Sequence, residues 1–271
     1  MLKKIKPQPF VKWVGGKRSL LESIHANLPE KFNNYFEPFA GGGAVFFSLY
    51  EKIDKATLAD TNLELVLAYN AIKKEPEALV EKLKKHAKQH SKDYYYDLRS
   101  KEQKNPMDIA ARFLYLNKTC FNGLYRVNSS GKFNSPMGSY NNPNIIQEEN
   151  ILACHEVLQG VDIKFGDFTS INPEKGDFVY FDPPYHPTSE VSFTEYTKEN
   201  FTEKDQVRLR DFIVTLHKKG VKIMLSNSKT KLIEDIYRAK YFKHHVVMAP
   251  RYVNCKSSER SKVQELLITN Y

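Results

Sequence analysis

The sequence predicts an α/β protein, with a sheet near both ends of the chain and a helical insertion in the middle. Three observations support this fold class. Short apolar runs alternate with helical patterns on both sides of the middle. A glycine-rich turn lies between a predicted strand and a predicted helix near the N-terminus. The middle of the chain is charged, has helical periodicity and contains no convincing strand.

The individual elements follow from these patterns. Helices are expected after Gly43, Asn62, Thr202 and Lys229. Strands are expected at short apolar runs, which are residues 35–36, 56–59, 162–165, 178–181, 222–225, 245–248 and 265–269. A chain of 271 residues can build one large core with an insertion, or two modest domains. We divide it into a core of residues 1–63 and 159–271 and an inserted domain of residues 64–158.

Charge and cysteine content narrow the class of protein. The net charge of +9 suits either solubility or a polyanionic partner such as nucleic acid. Residues 73–104 carry ten Lys or Arg against six Asp or Glu, which fits a solvated helix face or phosphate contacts. The three cysteines are scattered and form no CxxC pair, so we expect reduced thiols, an intracellular setting and no metal site. No apolar run is long enough for a bilayer, so no membrane partner is expected.

A nucleotide-type site is predicted near the N-terminus. Residues 36–43 read Phe-Glu-Pro-Phe-Ala-Gly-Gly-Gly, follow a strand and open a helix. Glycines allow a tight turn and close approach of a ligand to the backbone. Asp60 ends the next strand, roughly 20 residues later, where dinucleotide folds bind ribose hydroxyls. The loop alone could be only a turn, but the loop and Asp60 together favour an adenosine-type ligand. Upstream, Trp13 could be core packing, and Lys17 among its glycines could bind a carboxylate.

A second candidate site is the corner Asp182-Pro183-Pro184-Tyr185, which follows an apolar strand. Ligands of open α/β sheets gather at the carboxyl ends of strands. The two prolines make the corner rigid and keep their carbonyls as acceptors. A carboxylate beside a rigid carbonyl suits an amino group with two N–H donors, and Tyr185 offers a face for a heterocycle. The alternative is a proline turn that only closes the strand.

With these motifs in place, the chain resembles Dam-type DNA adenine-N6 methyltransferases, in the group whose glycine loop precedes the target-recognition region and whose Asp-Pro-Pro-Tyr follows it. The match covers nearly the whole chain and is carried by residues 10–17, 36–43, 58–62, 116–138, 166–168, 182–185 and 260–271. The resemblance implies a Rossmann-like methyltransferase sheet and S-adenosylmethionine as the methyl donor. It implies cofactor contacts at Trp13, Lys17, Phe39, Gly41, Gly43, Asp60, Asp167, Phe168 and Asp182. Asp182, Pro183, Pro184 and Tyr185 would form the catalytic corner.

The resemblance also assigns a DNA-recognition hairpin. Residues 120–134 look like a hairpin, with turn residues 128–131 and Gly131 at a position of positive φ. By itself this is an ordinary surface hairpin. In the family it reads the target sequence, which implies DNA contacts by Phe121, Asn122, Leu124, Arg126 and Pro136. Phe121 matches the position of an aromatic side chain that the family inserts between base pairs. Arg126 would contact guanine through two N–H donors of its planar guanidinium.

The expected function is site-specific methylation of a flipped adenine at N6 in double-stranded DNA, at GATC. We expect a monomer in the bacterial cytoplasm, either working alone or paired with a restriction endonuclease. Rival acceptors are cytosine N4, RNA adenine and a protein amide. Related enzymes that act on cytosine often carry Ser at the position of Asp182, and amide methyltransferases often carry Asn, so Asp favours adenine. A further rival is a DNA-binding protein that keeps the fold without catalysis, and the intact Lys17, Asp60 and Asp182 argue against it.

Overall fold

The computed structural model describes residues 5–188, 201–238, 240–250 and 262–271. In these ranges the strands are β1 Tyr35–Glu37, β2 Ala56–Asp60, β3 Val161–Phe165, β4 Phe178–Phe181, β5 Lys222–Ser228, β6 Lys243–Pro250 and β7 Lys262–Thr269. The α-helices are α1 Leu21–Ala26, α2 Ala44–Leu49, α3 Leu63–Lys74, α4 Pro76–Gln89, α5 Lys92–Ser100, α6 Pro106–Thr119, α7 Glu148–Leu158, α8 Glu203–Lys219 and α9 Lys231–Ile236. All seven predicted strands are confirmed, most of them one to four residues longer than expected.

The strands form one sheet in the order β3-β2-β1-β4-β5-β7-β6. Strands β1 to β5 are parallel, and β7 lies antiparallel between β5 and β6. The chain moves outward from β1 to β3 and then returns to the other side of β1 at β4. This reversal is the arrangement of a doubly wound, Rossmann-like fold, and it opens a crevice where β1 and β4 end.

The core lies in two layers, one on each face of the sheet. Strand β4 shows how the sequence makes them, because alternate side chains of a strand point to opposite faces. Phe178 and Tyr180 belong to the layer formed with α1 to α7, whereas Val179 and Phe181 belong to the layer formed with α8 and α9. All four side chains are fully buried, as expected for a central strand covered on both faces.

Helices α3 to α7 all lie between β2 and β3, where the sequence predicted a helical insertion. Their starts follow capping rules: Asn62, Ser91 and Asn105 each accept a hydrogen bond from a backbone N–H in the first turn. Helix α3 packs against α6, α7 and β3, so it joins the insertion to the sheet. The boundaries 64–158 for a separate domain remain a prediction.

The segment after α6 is a hairpin in outline, but without regular strands. Two isolated bridges join Cys120 to Met137 and Val127 to Phe133. At the tip, Gly131 has φ of 76°, which fulfils the predicted positive-φ turn position. The Lys132 carbonyl closes the tip by accepting from the backbone N–H of Asn128 at 2.8 Å.

Among the described helices, none has the length and apolar character needed to cross a membrane.

Candidate active site

The carboxyl ends of the parallel strands bring the predicted motifs together at one edge of the sheet. The glycine loop follows β1, Asp60 ends β2, Asp167 follows β3, and Asp182 follows β4. Because β1 and β4 are neighbours, the glycine loop and the Asp182 corner flank the crevice at the point where the strand order reverses.

The glycine loop is held tightly by aromatic side chains. Gly41 and Gly43 have φ of 48° and 68°. A Cβ on Gly41 would lie 2.6 Å from Cδ1 of Trp13, and a Cβ on Gly43 would lie 2.6 Å from the hydroxyl of Tyr69. That hydroxyl donates to the Gly41 carbonyl at 3.0 Å. The loop therefore requires glycine at both positions, and Trp13 packs directly on it.

Asp60 fixes the same loop from the end of β2. One carboxylate oxygen accepts from the Gly41 N–H at 2.9 Å, and the other accepts from the Asn62 N–H at 2.8 Å. Burial raises the pKa of Asp60, and these backbone N–H donors oppose that rise. Each oxygen keeps further acceptor capacity. Asp60 can therefore accept from a ligand hydroxyl while it shapes the glycine loop.

Asp167 and Phe168 follow β3 and are held by Arg208 of α8. The Asp167 carboxylate accepts from the backbone N–H of Thr169 at 2.9 Å and from Nη1 of Arg208 at 2.6 Å. Burial acts to raise the pKa of Asp167, but these donors bring it below its ordinary value. The Phe168 ring is buried between Phe39, at 5.7 Å between ring centroids, and the guanidinium of Arg208, at 4.3 Å. A ligand contact at Phe168 would therefore come from its backbone.

The catalytic corner contains a buried ion pair. Nζ of Lys17 lies 2.8 Å from Oδ2 of Asp182, with 8% and 18% of the two side chains exposed. The same ammonium donates to the Gly15 carbonyl and lies 4.8 Å from the ring centroid of Tyr185. Oδ1 of Asp182 is buried and has no hydrogen-bond partner in the part of the chain that the structure describes. Burial raises the pKa of Asp182, and the Lys17 ammonium opposes the rise.

The rest of the corner is held by neighbouring polar groups. The Pro184 carbonyl accepts from Nε2 of Gln206 at 2.9 Å. The hydroxyl of Tyr185 donates to Oε2 of Glu265 at 3.0 Å, and burial raises the pKa of Tyr185 well above its ordinary value. Within the described ranges, no residue donates to the Pro183 carbonyl. In the described chain the corner therefore has two acceptors for which no donor is seen, the Pro183 carbonyl and Oδ1 of Asp182.

Glu37 is a buried carboxyl near the site that the sequence analysis did not single out. It ends β1 and is 3% exposed. Its Oε2 accepts from the hydroxyl of Tyr35 at 2.7 Å and from the backbone N–H of Phe46 at 3.1 Å. Burial raises the pKa of Glu37 to about 8, and the charge of Asp182 acts in the same direction. The position of Glu37 at a strand end could have marked it as a site residue. It was not singled out because it also lies inside the glycine-loop motif, where an acid is interpreted as part of the loop.

The predicted DNA-contacting residues lie together in the segment after α6. Phe121 is 53% exposed, and its backbone N–H donates to the Pro136 carbonyl at 2.9 Å. The neighbouring Asn122 has a left-handed backbone, with φ of 54°. Nε of Arg126 donates to the side-chain oxygen of Asn134 at 2.8 Å. Leu124 and Arg126 are half-buried, and Pro136 is exposed.

Two further segments that the sequence makes candidates for DNA contact lie mostly outside the described residues. The polar loop after the corner, 186–201, is expected either to close over the flipped base or to be a surface loop, and the basic stretch 251–262 is a candidate for contact with the DNA backbone. Only residues 186–188 and 201 of the first are described, together with the backbone of residue 262.

The sheet order and the site at its reversal point place the chain in the class of Rossmann-like methyltransferases. Residues 13–252 match the family model of the D12 class N6 adenine-specific DNA methyltransferase, and the chain belongs to that family. It is therefore a DNA adenine-N6 methyltransferase. This confirms the family, the fold class and the reaction type expected from the sequence.

Named relatives resemble the chain over nearly its full length. The type II methyltransferase M1.LlaDCHI of Lactococcus lactis subsp. cremoris is 48% identical, over 99% of this chain and 97% of its own. The type II methyltransferase M.MjaIII of Methanocaldococcus jannaschii is 41% identical, over 97% and 99%. The DNA adenine methylase of Vibrio cholerae is 35% identical, over 97% and 95%.

Proposed function

We propose that this enzyme transfers a methyl group from S-adenosylmethionine to N6 of an adenine that has left the helical stack, within GATC of double-stranded DNA. The observation that carries the proposal is a pair of acceptors at the corner, Oδ1 of Asp182 and the Pro183 carbonyl, to which no described residue donates. An exocyclic amine has two N–H donors, which match two acceptors. A buried carboxylate oxygen without a donor is costly unless a ligand supplies one.

The chemistry requires positioning of the amine more than acid catalysis. The N6 lone pair of adenine is delocalised into the ring, which makes the nitrogen a weak nucleophile. Hydrogen bonds to Asp182 and to the Pro183 carbonyl favour a pyramidal nitrogen with a directed lone pair. Bound S-adenosylmethionine would supply the methyl group, and its sulfur would keep the electrons of the C–S bond. Asp182 lies where it can accept the proton that the methylated nitrogen loses, and its raised pKa favours this.

Bound S-adenosylmethionine would supply an electrophilic methyl on a sulfonium, and the residues around the crevice suit such a ligand. Gly41 and Gly43 let the loop after β1 turn tightly against Trp13 and Tyr69, where a Cβ would collide, and this turn forms one wall of the crevice. Asp60 can accept from ribose hydroxyls, and Lys17 offers a cation for the methionine carboxylate. Phe39 and the backbone around Asp167 and Phe168 would contact the adenine of the cofactor, as the family resemblance implies.

The DNA part of the proposal rests on the hairpin segment and on the relatives. Exposed Phe121 suits a wedge between base pairs. The bond from Arg126 to Asn134 orients the guanidinium, whose remaining donors can meet O6 and N7 of guanine. The GATC target comes from the resemblance to Dam-type enzymes, and relatives named DNA adenine methylase support adenine in DNA as the acceptor. Relatives named type II methyltransferase support pairing with a restriction endonuclease. The net charge of +9 suits a DNA partner in the cytoplasm.

The test is transfer of labelled methyl from S-adenosylmethionine to two short duplexes, one with GATC and one with the site scrambled to GTAC, followed by nucleoside analysis. We expect N6-methyladenine in the GATC duplex alone. Label in both duplexes would reject GATC as the recognition sequence. Label in neither duplex would reject adenine in double-stranded DNA as the substrate. Asp182→Ala should abolish transfer and leave cofactor binding largely intact, because it removes the amine acceptor and keeps the glycine loop and Asp60. Near-normal turnover by that variant would reject the role of Asp182.

A further inference from the structure

We infer that Gln206 and Asn227 are positioning residues that set the catalytic corner by fixing the backbone on both sides of Tyr185. Gln206 lies in the second turn of α8, and Asn227 lies near the end of β5. Both side chains are fully buried, with exposure of 0%. The inference rests on the proposed function, because the corner that they hold is the proposed amine site.

The corner needs help from side chains, because its own backbone forms no regular structure. Residues 182–187 lie outside both helix and strand. Pro183 and Pro184 have no N–H, so they cannot form the backbone bonds that would stabilise a turn. The position of the Tyr185 ring therefore depends on what holds the residues beside it, which are Pro184 and His186.

Gln206 and Asn227 form one chain of hydrogen bonds between these two residues. Nε2 of Gln206 donates to the Pro184 carbonyl at 2.9 Å. Nδ2 of Asn227 donates to Oε1 of Gln206 at 3.1 Å. Oδ1 of Asn227 accepts from the backbone N–H of His186 at 3.1 Å. Ser228 extends the network, because its hydroxyl donates to the His186 carbonyl.

The direction of every bond in this chain is fixed by its two ends. The His186 N–H can only donate, so Asn227 must turn its oxygen toward it and its nitrogen toward Gln206. Gln206 must then present its oxygen to Asn227 and its nitrogen to the Pro184 carbonyl, which can only accept. Both amides are thus satisfied in one orientation, and the network specifies a single geometry for the backbone around Tyr185.

The network also favours one of the two proline carbonyls as the acceptor for a hydrogen bond from the target amine. Gln206 occupies the carbonyl of Pro184, whereas that of Pro183 has no donor in the described chain. If Gln206 lost its amide, the Pro184 carbonyl would become a competing acceptor and the Tyr185 backbone would be freer to move. Because transfer depends on close alignment of the reacting atoms, small displacements here should reduce the rate of the chemical step.

The test compares Gln206→Met with Asn270→Leu, which are both replacements of an amide by an apolar side chain of similar size. Asn270 is a matched control, because its amide also bridges two backbone groups: it accepts from the Ile223 N–H at 2.8 Å and donates to the Val221 carbonyl at 2.8 Å. These bonds lie at the start of β5, at the opposite edge of the sheet from the corner.

We expect Gln206→Met to lower kcat on the GATC duplex by roughly 10- to 100-fold, because a displacement of about 1 Å can cost that much. The affinity for S-adenosylmethionine should change by no more than about twofold, since Gln206 contacts the corner and not the glycine loop. Trp13 is the one tryptophan of the chain and packs on the glycine loop, so its fluorescence reports this affinity directly. Asn270→Leu should lower the Tm and leave kcat within about twofold of the original. Equal loss of kcat in both variants, or normal kcat in Gln206→Met, would overturn the inference.

A second measurement separates this inference from the proposed substrate. Hydrogen–deuterium exchange of the peptide around Tyr185 and His186 needs no acceptor, and it should be faster in Gln206→Met than in Asn270→Leu. If the original enzyme methylates no DNA but this difference appears, the substrate is wrong and the positioning role stands. Unchanged exchange would overturn the positioning role. If Gln206→Met does not fold, Gln206→Asn serves instead, because its shorter amide keeps a polar group yet cannot span Asn227 and Pro184.

Discussion

We predict that the stability of this protein decreases as the pH rises from about 5 to about 8, and that replacing Glu37 by glutamine removes most of this decrease. Glu37 is buried at the end of β1, and its Oε2 accepts from Tyr35 and from the Phe46 backbone. Burial raises its pKa to about 8, from an ordinary value of 4.5. Glutamine has the same shape as the protonated acid and keeps an oxygen for both donors. The substitution therefore removes one titration and preserves the contacts.

The sign and size of this pH effect on the free energy of unfolding follow from proton linkage. Between about pH 4.5 and about pH 8, the folded protein keeps a proton on Glu37 that the unfolded chain has lost, so stability falls as the pH rises. The pKa difference of about 3.5 units, at about 1.4 kcal/mol per unit, gives about 5 kcal/mol across the whole window. That is a large share of the roughly 5–15 kcal/mol that stabilises a typical domain.

The assay is equilibrium unfolding in urea at about pH 5 and at about pH 8, for the original protein and for Glu37→Gln. We expect the original protein to lose about 3–4 kcal/mol more than the variant between the two conditions, which span about three of the pH units in the window. Glu30→Gln, at an exposed glutamate, controls for the loss of a carboxyl in general. Parallel pH dependence in the original protein and Glu37→Gln would refute the reasoning, because it would mean that Glu37 binds no extra proton in the folded state.

Three further predictions address recognition, catalysis and packing. Arg126→Ala should relax the choice of target sequence by about 1–3 kcal/mol, measured as the ratio of kcat/KM on GATC and single-mismatch duplexes, and an unchanged ratio would exclude Arg126 from base recognition. Lys17→Met should move the acid limb of kcat to higher pH at saturating cofactor, because Asp182 loses the cation that opposes its raised pKa and must be ionised to accept from the amine. An acid limb that stays in place would show that Lys17 does not control the ionisation of Asp182. Tyr237→Phe should raise the free energy of unfolding by about 1 kcal/mol, because the Tyr237 hydroxyl is buried without a partner in the described chain, and a lower midpoint in urea would contradict this.

The sheet could be predicted because its signals are local. Each strand is a short apolar run, and parallel strands bring their carboxyl ends to one edge, so Asp60 and Asp182 could each be predicted at a strand end, and the family resemblance joined them in one site. The glycine loop could also be predicted from the sequence. Its positions face Trp13 and Tyr69 so closely that only glycine fits there, so the structural requirement appears directly as a run of glycines. The start of α9 was predicted after Lys229, whereas Thr230 caps the helix and it begins at Lys231.

The groups that hold the site could not be predicted, because they come from distant parts of the chain. Gln206 lies 22 residues from its partner Pro184, and Asn227 lies 41 residues from His186. In sequence, Gln206 is one more polar residue in a charged amphipathic helix, where polar residues usually face water. Only the packing of α8 on the sheet turns it inward. Arg208, which holds Asp167, was missed for the same reason.

Trp13 shows that the cofactor loop and the recognition segment are parts of one structure. Its indole packs on Gly41 and also stacks on Tyr125, at 5.6 Å between ring centroids. Tyr125 in turn donates to Glu64, which pairs with the buried Arg112 of α6 at 3.0 Å. Since a Cβ at Gly41 would already collide with the indole, Trp13 has no space to move toward the loop. If bound DNA displaces Tyr125, Trp13 is the contact through which the displacement reaches the glycine loop, and we then expect cofactor affinity and DNA affinity to depend on each other.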